Sequence, residues 1–187
     1  MTGTSEPGRV EQVIAAAQEF ARVTSDDASP ELYLPLTFLL AQVRRSLNMD
    51  VAFVSRFIDR ERVFEVVSAE GEAATTVVPG RSDALLDTYC QRIVDGRLPT
   101  VIPDSGASQE ASSLAITQVL NIGAYLSAPV VLPNGEVFGT VCCISHSPRP
   151  DLRDADARAI AAVAQAVAAS VTRTGAIRYV SWTPDTA

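Results

Sequence analysis

The clearest pattern of apolar and polar positions lies in residues 122–147. Two apolar runs, 124–132 and 137–145, flank the tetrapeptide Pro133-Asn134-Gly135-Glu136. Because Asn-Gly readily adopts the positive φ angles of a tight hairpin turn, the pattern predicts a β-hairpin. Neither run carries a charge on either face, whereas a solvent-facing sheet normally would. We therefore expect other elements to cover both faces of this hairpin.

One face of the predicted hairpin carries polar groups among apolar residues. Since side chains alternate along a strand, Tyr125 and Ser127 share this face with Thr140, Cys142 and His146. Hydroxyls, a thiol and an imidazole on an otherwise apolar surface are typical of the floor of a small-molecule pocket. A face that is merely packed against other elements has the same composition. The pattern alone leaves both interpretations open.

Apolar spacing elsewhere predicts helices before, between and after further strands. The predicted helices cover residues 9–24, about 30–48, 82–96, 111–121 and 151–174, and the predicted strands cover 50–59, 63–69 and 100–102. The charged run Asp59-Arg60-Glu61-Arg62 is expected to turn the chain, so the first two of these strands form a second hairpin. Ser82 is expected to cap the third helix and Asp151 the last, with Asp154 completing a capping box. Residues 70–81 are expected to form a loop.

This order of elements predicts an α+β fold built on a central antiparallel β-sheet. The terminal helices are expected on one face, and a helix-loop-helix cover from residues 82–121 over a pocket on the other. The length of 187 residues suits one domain. We expect a disordered N-terminus at 1–8, a single domain at 9–174 and a C-terminal tail at 175–187.

The amino-acid composition argues against nucleic acid and membranes as partners. The net charge is −7, and all fifteen basic residues are arginine without any dense basic run, which argues against nucleic-acid binding. No signal-peptide pattern and no apolar run of membrane-spanning length occur, so a cytoplasmic protein without a membrane partner is expected. Three cysteines do not make a disulfide framework, so reduced thiols are the default expectation.

Three segments carry a resemblance to a known family: DVAFVSRF at 50–57, IGAYLSAPVVLPNGEVFGTVCCIS at 122–145 and the helix that follows DLRDAD at 151–156. Over about residues 30–171 the chain resembles GAF domains, the sensory relatives of PAS domains. The resemblance implies a pocket between the sheet and 82–121, and a homodimer through the helices at 9–24 and 153–173. Such domains bind small ligands or partner proteins and signal through those helices to an output module.

The hairpin is also similar to that of bacterial phytochromes. This resemblance implies that Ser55, Ser127, Thr140 and their neighbours face a tetrapyrrole pocket. However, residues 115–121 contain neither the His nor the Cys that phytochrome-like domains present there, which argues against a covalently attached bilin. The lone His146 is a candidate haem ligand, yet a single His at a strand end is more often a surface or hydrogen-bonded residue.

Other chemistries find less support in the sequence. Some GAF proteins reduce free methionine sulfoxide with a low-pKa thiolate and a resolving thiol. None of Cys90, Cys142 and Cys143 lies in 103–121, where those enzymes carry a reactive cysteine, so the default is three core thiols. GAF domains that bind cyclic nucleotides share a set of binding residues that includes a lysine. This sequence has no lysine, so that set cannot be complete. One His and scattered carboxylates do not suggest a metal site.

The sequence therefore predicts a non-catalytic sensory GAF domain that binds an unidentified small organic ligand. The expected ligand-binding residues are Phe53, Ser55, Tyr125, Ser127, Thr140, Cys142 and Asp104. Asp104 alternatively caps a loop turn, as aspartate commonly does. No effector segment is present, so the output lies in another chain or this chain is part of a longer one.

Two alternatives remain open at this stage. A cysteine-dependent free methionine sulfoxide reductase requires Cys90 to be exposed and within disulfide distance of a second sulfur. A ligand-free dimerisation or docking module requires large side chains to fill the space between Ser127 and the cover.

Overall fold

The computed structural model describes residues 8–26 and 33–174. The expectations of a disordered N-terminus at 1–8 and a tail at 175–187 lie outside the described residues, apart from Gly8, as does the predicted start of the second helix near residue 30. Within the described part of the chain, no helix combines the length and apolarity needed to cross a membrane.

The described residues form seven α-helices and six β-strands. The helices are α1 (Arg9–Asp26), α2 (Tyr33–Ser46), α3 (Ala73–Thr76), α4 (Tyr89–Val94), α5 (Gln109–Ser112), α6 (Ala115–Val119) and α7 (Asp154–Thr174). The strands are β1 (Val51–Ile58), β2 (Glu61–Ala69), β3 (Ser82–Ala84), β4 (Val101–Ile102), β5 (Ala124–Val131) and β6 (Val137–Ser145). A 3₁₀ turn at Leu85–Asp87 precedes α4.

The strands form one antiparallel sheet in the order β3-β2-β1-β6-β5-β4. This confirms the predicted α+β class and both hairpins. The two central strands approach closely at Gly139, where an added Cβ would lie 1.9 Å from the carbonyl oxygen of Ser55. A side chain at position 139 would therefore separate β1 from β6.

The terminal helices cover one face of the sheet, as predicted. Alternate residues of the central strands, among them Leu126, Val141 and Cys143, are buried there against α1, α2 and α7. Arg9 at the start of α1 pairs with Asp156 at the start of α7, and Arg173 near the end of α7 donates to Thr24 near the end of α1. The two helices therefore run parallel, side by side.

The middle of the chain covers the opposite face. Phe53, Tyr125, Cys142 and Ile144 are buried there against residues of α4, α5 and α6. The period-two alternation of β5 and β6 thus assigns each side chain to the correct face, because neighbouring residues of a strand point in opposite directions.

The predicted start of the third helix is wrong. Ser82 lies in β3 and pairs with Val63 of β2, while Asp83 of β3 forms an ion pair with Arg62. Strand pairing therefore takes up the residues expected to begin the helix. Thr88 is the N-cap instead, since its side chain accepts a hydrogen bond of 3.3 Å from the backbone N–H of Gln91.

Three other boundaries differ from the sequence-based predictions. The loop predicted at 70–81 contains α3, and the helix predicted at 111–121 is split into α5 and α6 because Leu114 adopts an extended ψ of 128°. The last helix begins at Asp154 rather than near Asp151. Asp156, not Asp154, closes the capping interaction by accepting the backbone N–H of Arg153 at 2.8 Å.

Candidate ligand site under the mid-chain cover

Five of the seven predicted ligand-binding residues meet in one buried cluster. Ser55, Tyr125, Ser127, Thr140 and Cys142 are each at most 2% exposed. The strand register brings them together, because Ser55 lies opposite Thr140 and Ser127 lies opposite Cys142. The cluster consists of hydroxyls and a thiol on an otherwise apolar face, as the alternation predicted.

These polar groups satisfy one another within the protein. The hydroxyls of Ser55 and Thr140 lie 2.8 Å apart. The Cys142 thiol donates to Thr140 Oγ1 at 3.0 Å and lies 3.3 Å from the hydroxyl of Ser127. Because each buried polar group has a partner, the cluster is stable without water or ligand.

A sixth member of the cluster, Cys90, was not among the predicted ligand-binding residues. It comes from α4 in the cover, and its Sγ lies 3.4 Å from the Tyr125 hydroxyl and 3.8 Å from the Sγ of Cys142. Cys90 is 1% exposed. The only sequence signal for this position was its place beside the apolar side of the predicted helix.

The two sulfurs have opposite acid-base tendencies. The Cys142 thiol, the charge of Arg62 and the hydroxyls of Thr140 and Tyr125 favour the Cys90 thiolate, and they lower its pKa despite burial. Burial raises the pKa of Cys142, and the neighbouring Cys90 raises it further. Of this pair, Cys90 is therefore the sulfur that ionises first.

Phe53 lies beside this cluster and borders a buried arginine. The Cζ of Arg62 lies 3.6 Å from the ring centroid of Phe64 and 5.7 Å from that of Phe53. Arg62 is 1% exposed and forms an ion pair with Asp83. Its Nε is buried and has no hydrogen-bond partner among the described residues. Arg62 was not among the predicted site residues, because the charged run at 59–62 predicts a turn, whereas Arg62 lies in β2.

The space between the sheet and the cover is filled by the protein itself. A cavity of about 10 Å³ remains, bordered by Arg62, Thr88, Tyr89, Cys90, Tyr125 and their neighbours. That volume holds at most about one water molecule. The ring of Tyr89 occupies the centre, with its centroid 4.7 Å from that of Tyr125. In this conformation the site has no room for an organic ligand.

The hydroxyl of Tyr89 joins the parts of the cover to each other. It lies 2.9 Å from Thr117 Oγ1 in α6 and donates to the carbonyl oxygen of Ala111 in α5 at 3.4 Å. Near the surface, Glu110 of α5 forms ion pairs with Arg92 and Arg97 at 3.0 and 2.6 Å. These contacts hold α4 against the two following helices.

The remaining candidates lie elsewhere. Asp104 is in the exposed loop after β4, where its Oδ1 accepts the backbone N–H groups of Gly106 and Ala107 at 2.9 and 3.4 Å. The structure does not bring it to the buried cluster. His146 lies at the end of β6, where Nδ1 is 2.9 Å from the carbonyl oxygen of Asn121. Within the described ranges, no three His, Cys, Asp or Glu side chains are grouped to hold a metal.

The profile of the GAF domain family matches residues 36–171, which is most of the chain. A search of curated proteins finds no match.

Solved structures show the same fold at low sequence identity. A GAF sensor protein described as putative, from Burkholderia vietnamiensis, is 15% identical, with a TM-score of 0.69 over 90% of this chain and 98% of that one. The free methionine-R-sulfoxide reductase of Neisseria meningitidis, solved with its substrate, is 11% identical, with a TM-score of 0.70 over 94% and 97%. A phycoerythrobilin-bound GAF domain from a cyanobacterial phytochrome is 13% identical, with a TM-score of 0.68 over 91% and 98%. At these identities the likeness establishes the fold and not the ligand.

Proposed function

The chain belongs to the GAF domain family, and on that premise we propose that it is a non-catalytic regulatory domain that binds a small organic ligand between the sheet and the mid-chain cover. The observation that supports this proposal is the convergence of Ser55, Tyr125, Ser127, Thr140 and Cys142 beneath a cover made of short helices. Few convergent polar groups on an apolar wall are the usual composition of a ligand site.

The proposed ligand enters when Tyr89 leaves the interior. Tyr89 is the largest side chain that α4 places between the cover and the sheet. Its hydroxyl bonds to Thr117 and to Ala111. Helix α4 has only six residues, so it can move as a unit once these contacts break. The conformation described here, with the Tyr89 ring in the interior, is then the closed state, and binding selects an open state.

Arg62 indicates the chemical class of this ligand. A buried guanidinium with an unpaired Nε leaves one strong donor unused at the edge of the cavity. A carboxylate is the group that pairs best with arginine, while Phe53 and Tyr125 offer apolar contacts. We therefore propose a small aromatic or aliphatic carboxylate.

We propose that the domain passes its signal on through its helical face, which is the surface formed by α1, α2 and α7. We propose a homodimer, with an output protein or domain that lies in trans or elsewhere in a longer chain. Within the described residues, the large exposed apolar side chains of this face are Val23 of α1 and Phe38 of α2. They border an apolar groove of about 280 Å³, which favours contact through α1 and α2 in place of the helices at 9–24 and 153–173 that the family resemblance implied.

A thermal-denaturation screen of the full chain tests ligand binding. Aromatic and aliphatic monocarboxylates such as benzoate and hexanoate are compared with their primary amides. A carboxylate is expected to raise Tm in a concentration-dependent way, because it binds only the folded state, whereas its amide has little effect. Arg62→Met should abolish the shift, and the matched control Arg81→Met, at an exposed loop position, should retain it. Equal shifts for acids and amides would contradict the role of Arg62.

The filled interior also favours a second candidate, a ligand-free docking module. This candidate predicts no Tm shift with any member of a metabolite, nucleotide and tetrapyrrole panel, either for the wild type or for Tyr89→Ala. The reductase alternative meets only half of its criterion, because the sulfurs of Cys90 and Cys142 are 3.8 Å apart but both are buried. Consumption of free methionine sulfoxide in the presence of a dithiol reductant would support that alternative.

A further inference from the structure

Two cysteines that are 52 positions apart in sequence meet in the interior of the domain. Cys90 lies on α4 in the cover, and Cys142 lies on β6 at the centre of the sheet, with a separation of 3.8 Å between their sulfurs. A disulfide has an S–S length of about 2.0 Å, so the sulfurs need to approach by about 1.8 Å. We propose that Cys90 and Cys142 form a reversible disulfide when a hydroperoxide reaches the interior, and that this bond locks the cover onto the sheet.

The surroundings of the two sulfurs differ, and the difference indicates which cysteine reacts first with the oxidant. Cys90 borders the small cavity together with Arg62 and Thr88, whereas Cys142 lies below, bonded to Ser127 and Thr140. The charge of Arg62 and the hydroxyl of Tyr125 favour the thiolate of Cys90. Cys90 is therefore the sulfur that meets the oxidant, and Cys142 is the resolving thiol.

The chemistry is a two-step oxidation with a hydroperoxide as the oxidant. The Cys90 thiolate attacks one peroxide oxygen, the O–O bond breaks, and after uptake of a proton the products are a sulfenic acid and an alcohol, or water from hydrogen peroxide. The Cys142 sulfur then attacks the sulfenic sulfur, and water leaves with the proton of Cys142. Overall, two thiols lose two hydrogen atoms and one peroxide is reduced. An external dithiol reduces the Cys90–Cys142 disulfide back to two thiols by thiol–disulfide exchange.

Access for the oxidant depends on the cover. The cavity beside Cys90, of about 10 Å³, is no larger than the space that one water molecule needs. A two-oxygen molecule does not fit in this space, so it reaches Cys90 only when α4 moves outward. The short helix, capped by Thr88 at one end and followed by Gly96 with a φ of 72° at the other, is a unit that can open locally.

The third cysteine supplies an internal contrast. Cys143 follows Cys142 in β6 and therefore points to the opposite face, among apolar residues packed against α1, α2 and α7. Burial raises the pKa of its thiol to about 12. Cys143 has neither a partner sulfur in reach nor a stabilised thiolate, so it is expected to remain reduced under the same conditions.

Locking α4 onto β6 has a consequence for the ligand site. Tyr89 precedes Cys90, so a bond from Cys90 to the sheet holds the Tyr89 ring in the interior. Oxidation should then prevent ligand entry, a consequence that rests on the proposed function. Formation of the disulfide itself does not depend on any ligand.

The test is mass spectrometry of the full-length chain after reduction, removal of the reductant and exposure to a slight molar excess of hydrogen peroxide. The wild-type protein is expected to lose two hydrogen atoms, and a non-reduced digest should yield a peptide pair that links Cys90 to Cys142. A dithiol should restore the original mass. Absence of this pair while the folded protein remains intact would overturn the proposal, as would a pair that contains Cys143.

Three variants separate the roles of the sulfurs. Cys143→Ala should form the same disulfide as the wild type. Cys142→Ser should stop at the sulfenic acid of Cys90, which a 1,3-diketone reagent traps, and Cys90→Ser should show no modification of Cys142 at the same dose. Equal reactivity of Cys90 and Cys142 in the two serine variants would contradict the assigned order. Should a serine variant fail to fold, alkylation rates of each cysteine in the wild-type chain provide the same comparison.

The ligand experiment is then repeated on the oxidised protein. Loss of the carboxylate-induced Tm shift after oxidation supports the locking role. If the disulfide forms but no carboxylate binds either state, the proposed ligand fails while the redox pair stands. If a carboxylate binds and no disulfide forms, the redox pair fails alone.

Discussion

The rings of Tyr89 and Tyr125 lie 4.7 Å apart between centroids, with their planes tilted by 42°. One ring comes from the cover and the other from the sheet, so this contact closes the space in which a ligand was predicted.

Tyr89→Ala should open a cavity and destabilise the protein. Removal of a fully buried aromatic side chain costs about 3–5 kcal/mol, because the contacts and the burial are both lost. Urea denaturation measures the loss, and thermal denaturation with small carboxylates tests whether the vacated space binds them more tightly. The control Leu86→Ala removes a side chain that is 65% exposed and should change stability by less than about 0.5 kcal/mol. A Tyr89→Ala effect as small as the control would show that the ring does not support the cover.

Glu65→Gln should stabilise the protein near neutral pH. Burial raises the pKa of Glu65, against the opposing effect of Arg56, whose Nη1 lies 3.7 Å from Oε1, and Oε2 has no partner among the described residues. Because the pKa of Glu65 is higher in the folded state, the contribution of this carboxyl to stability is fully present below its unfolded-state pKa of about 4.3. That contribution is lost as the pH rises through the folded-state pKa. The gain from glutamine should therefore be absent near pH 4 and grow as the pH rises through the raised folded-state pKa of Glu65.

Denaturation midpoints measured across that range test the prediction. Glu61→Gln, at an exposed position of the same strand, is the matched control and should show no pH-dependent gain. A Glu65→Gln gain that is largest at acidic pH would have the wrong sign and would exclude the buried carboxylate as its cause.

Arg9→Met should loosen the contact between the first and last helices. The guanidinium donates two hydrogen bonds of 2.8 Å to Asp156, whose side chain is 1% exposed. Without Arg9 this buried carboxylate keeps the N–H of Arg153 but loses its guanidinium partner, so a loss of about 1–3 kcal/mol is expected. Asp156→Asn in the Arg9→Met background should recover part of the loss, because the uncompensated charge is removed.

The control for this experiment is Arg22→Met, which breaks the exposed pair with Glu19. Exposed pairs contribute about 0–1 kcal/mol, so this variant should stay close to the wild type in urea denaturation. If both arginine variants lost the same free energy of unfolding, burial of Asp156 would not make its pair with Arg9 stronger than an exposed pair.

Phe38→Ser should weaken self-association. Phe38 is 70% exposed beside Val23, which is 43% exposed, and a second copy of the chain is the proposed partner of this surface. Size-exclusion chromatography with light scattering should show a wild-type dimer and a more dissociated variant, without loss of monomer stability. Leu86→Ser, at an exposed position outside the helical face, should remain dimeric. A wild-type monomer at high micromolar concentration would refute the proposed dimer.

Local patterns were sufficient for much of the fold. The alternation of 124–132 and 137–145 assigned Ser127 and Cys142 to one face and Leu126 and Cys143 to the other, as observed. Alternation works because the side-chain direction of a strand depends only on its own backbone. The Asn134-Gly135 turn was equally local, and Gly135 has a φ of 84°.

The cover was less predictable from its sequence. Its helices have four to six residues, too few for a helical period to be read reliably, and competing strand pairing removed Ser82 from the expected helix. Likewise, Arg62 lay in a charged tetrapeptide typical of a turn, and only its position in β2 places it in the interior.

The sequence by itself determined the fold class, the faces of the residues in β5 and β6 and the meeting of Ser127 with Cys142, because these follow from short-range periodicity and hairpin register. The pairing of β1 with β6, which brings Ser55 to Thr140, joins distant segments and was decided by the tertiary structure. Only the tertiary structure decided that Tyr89 fills the interior, that Arg62 is buried beside it and that Cys90 meets Cys142. Those outcomes depend on how segments distant in the chain pack together, and packing is set by the shapes of all the contacting side chains at once.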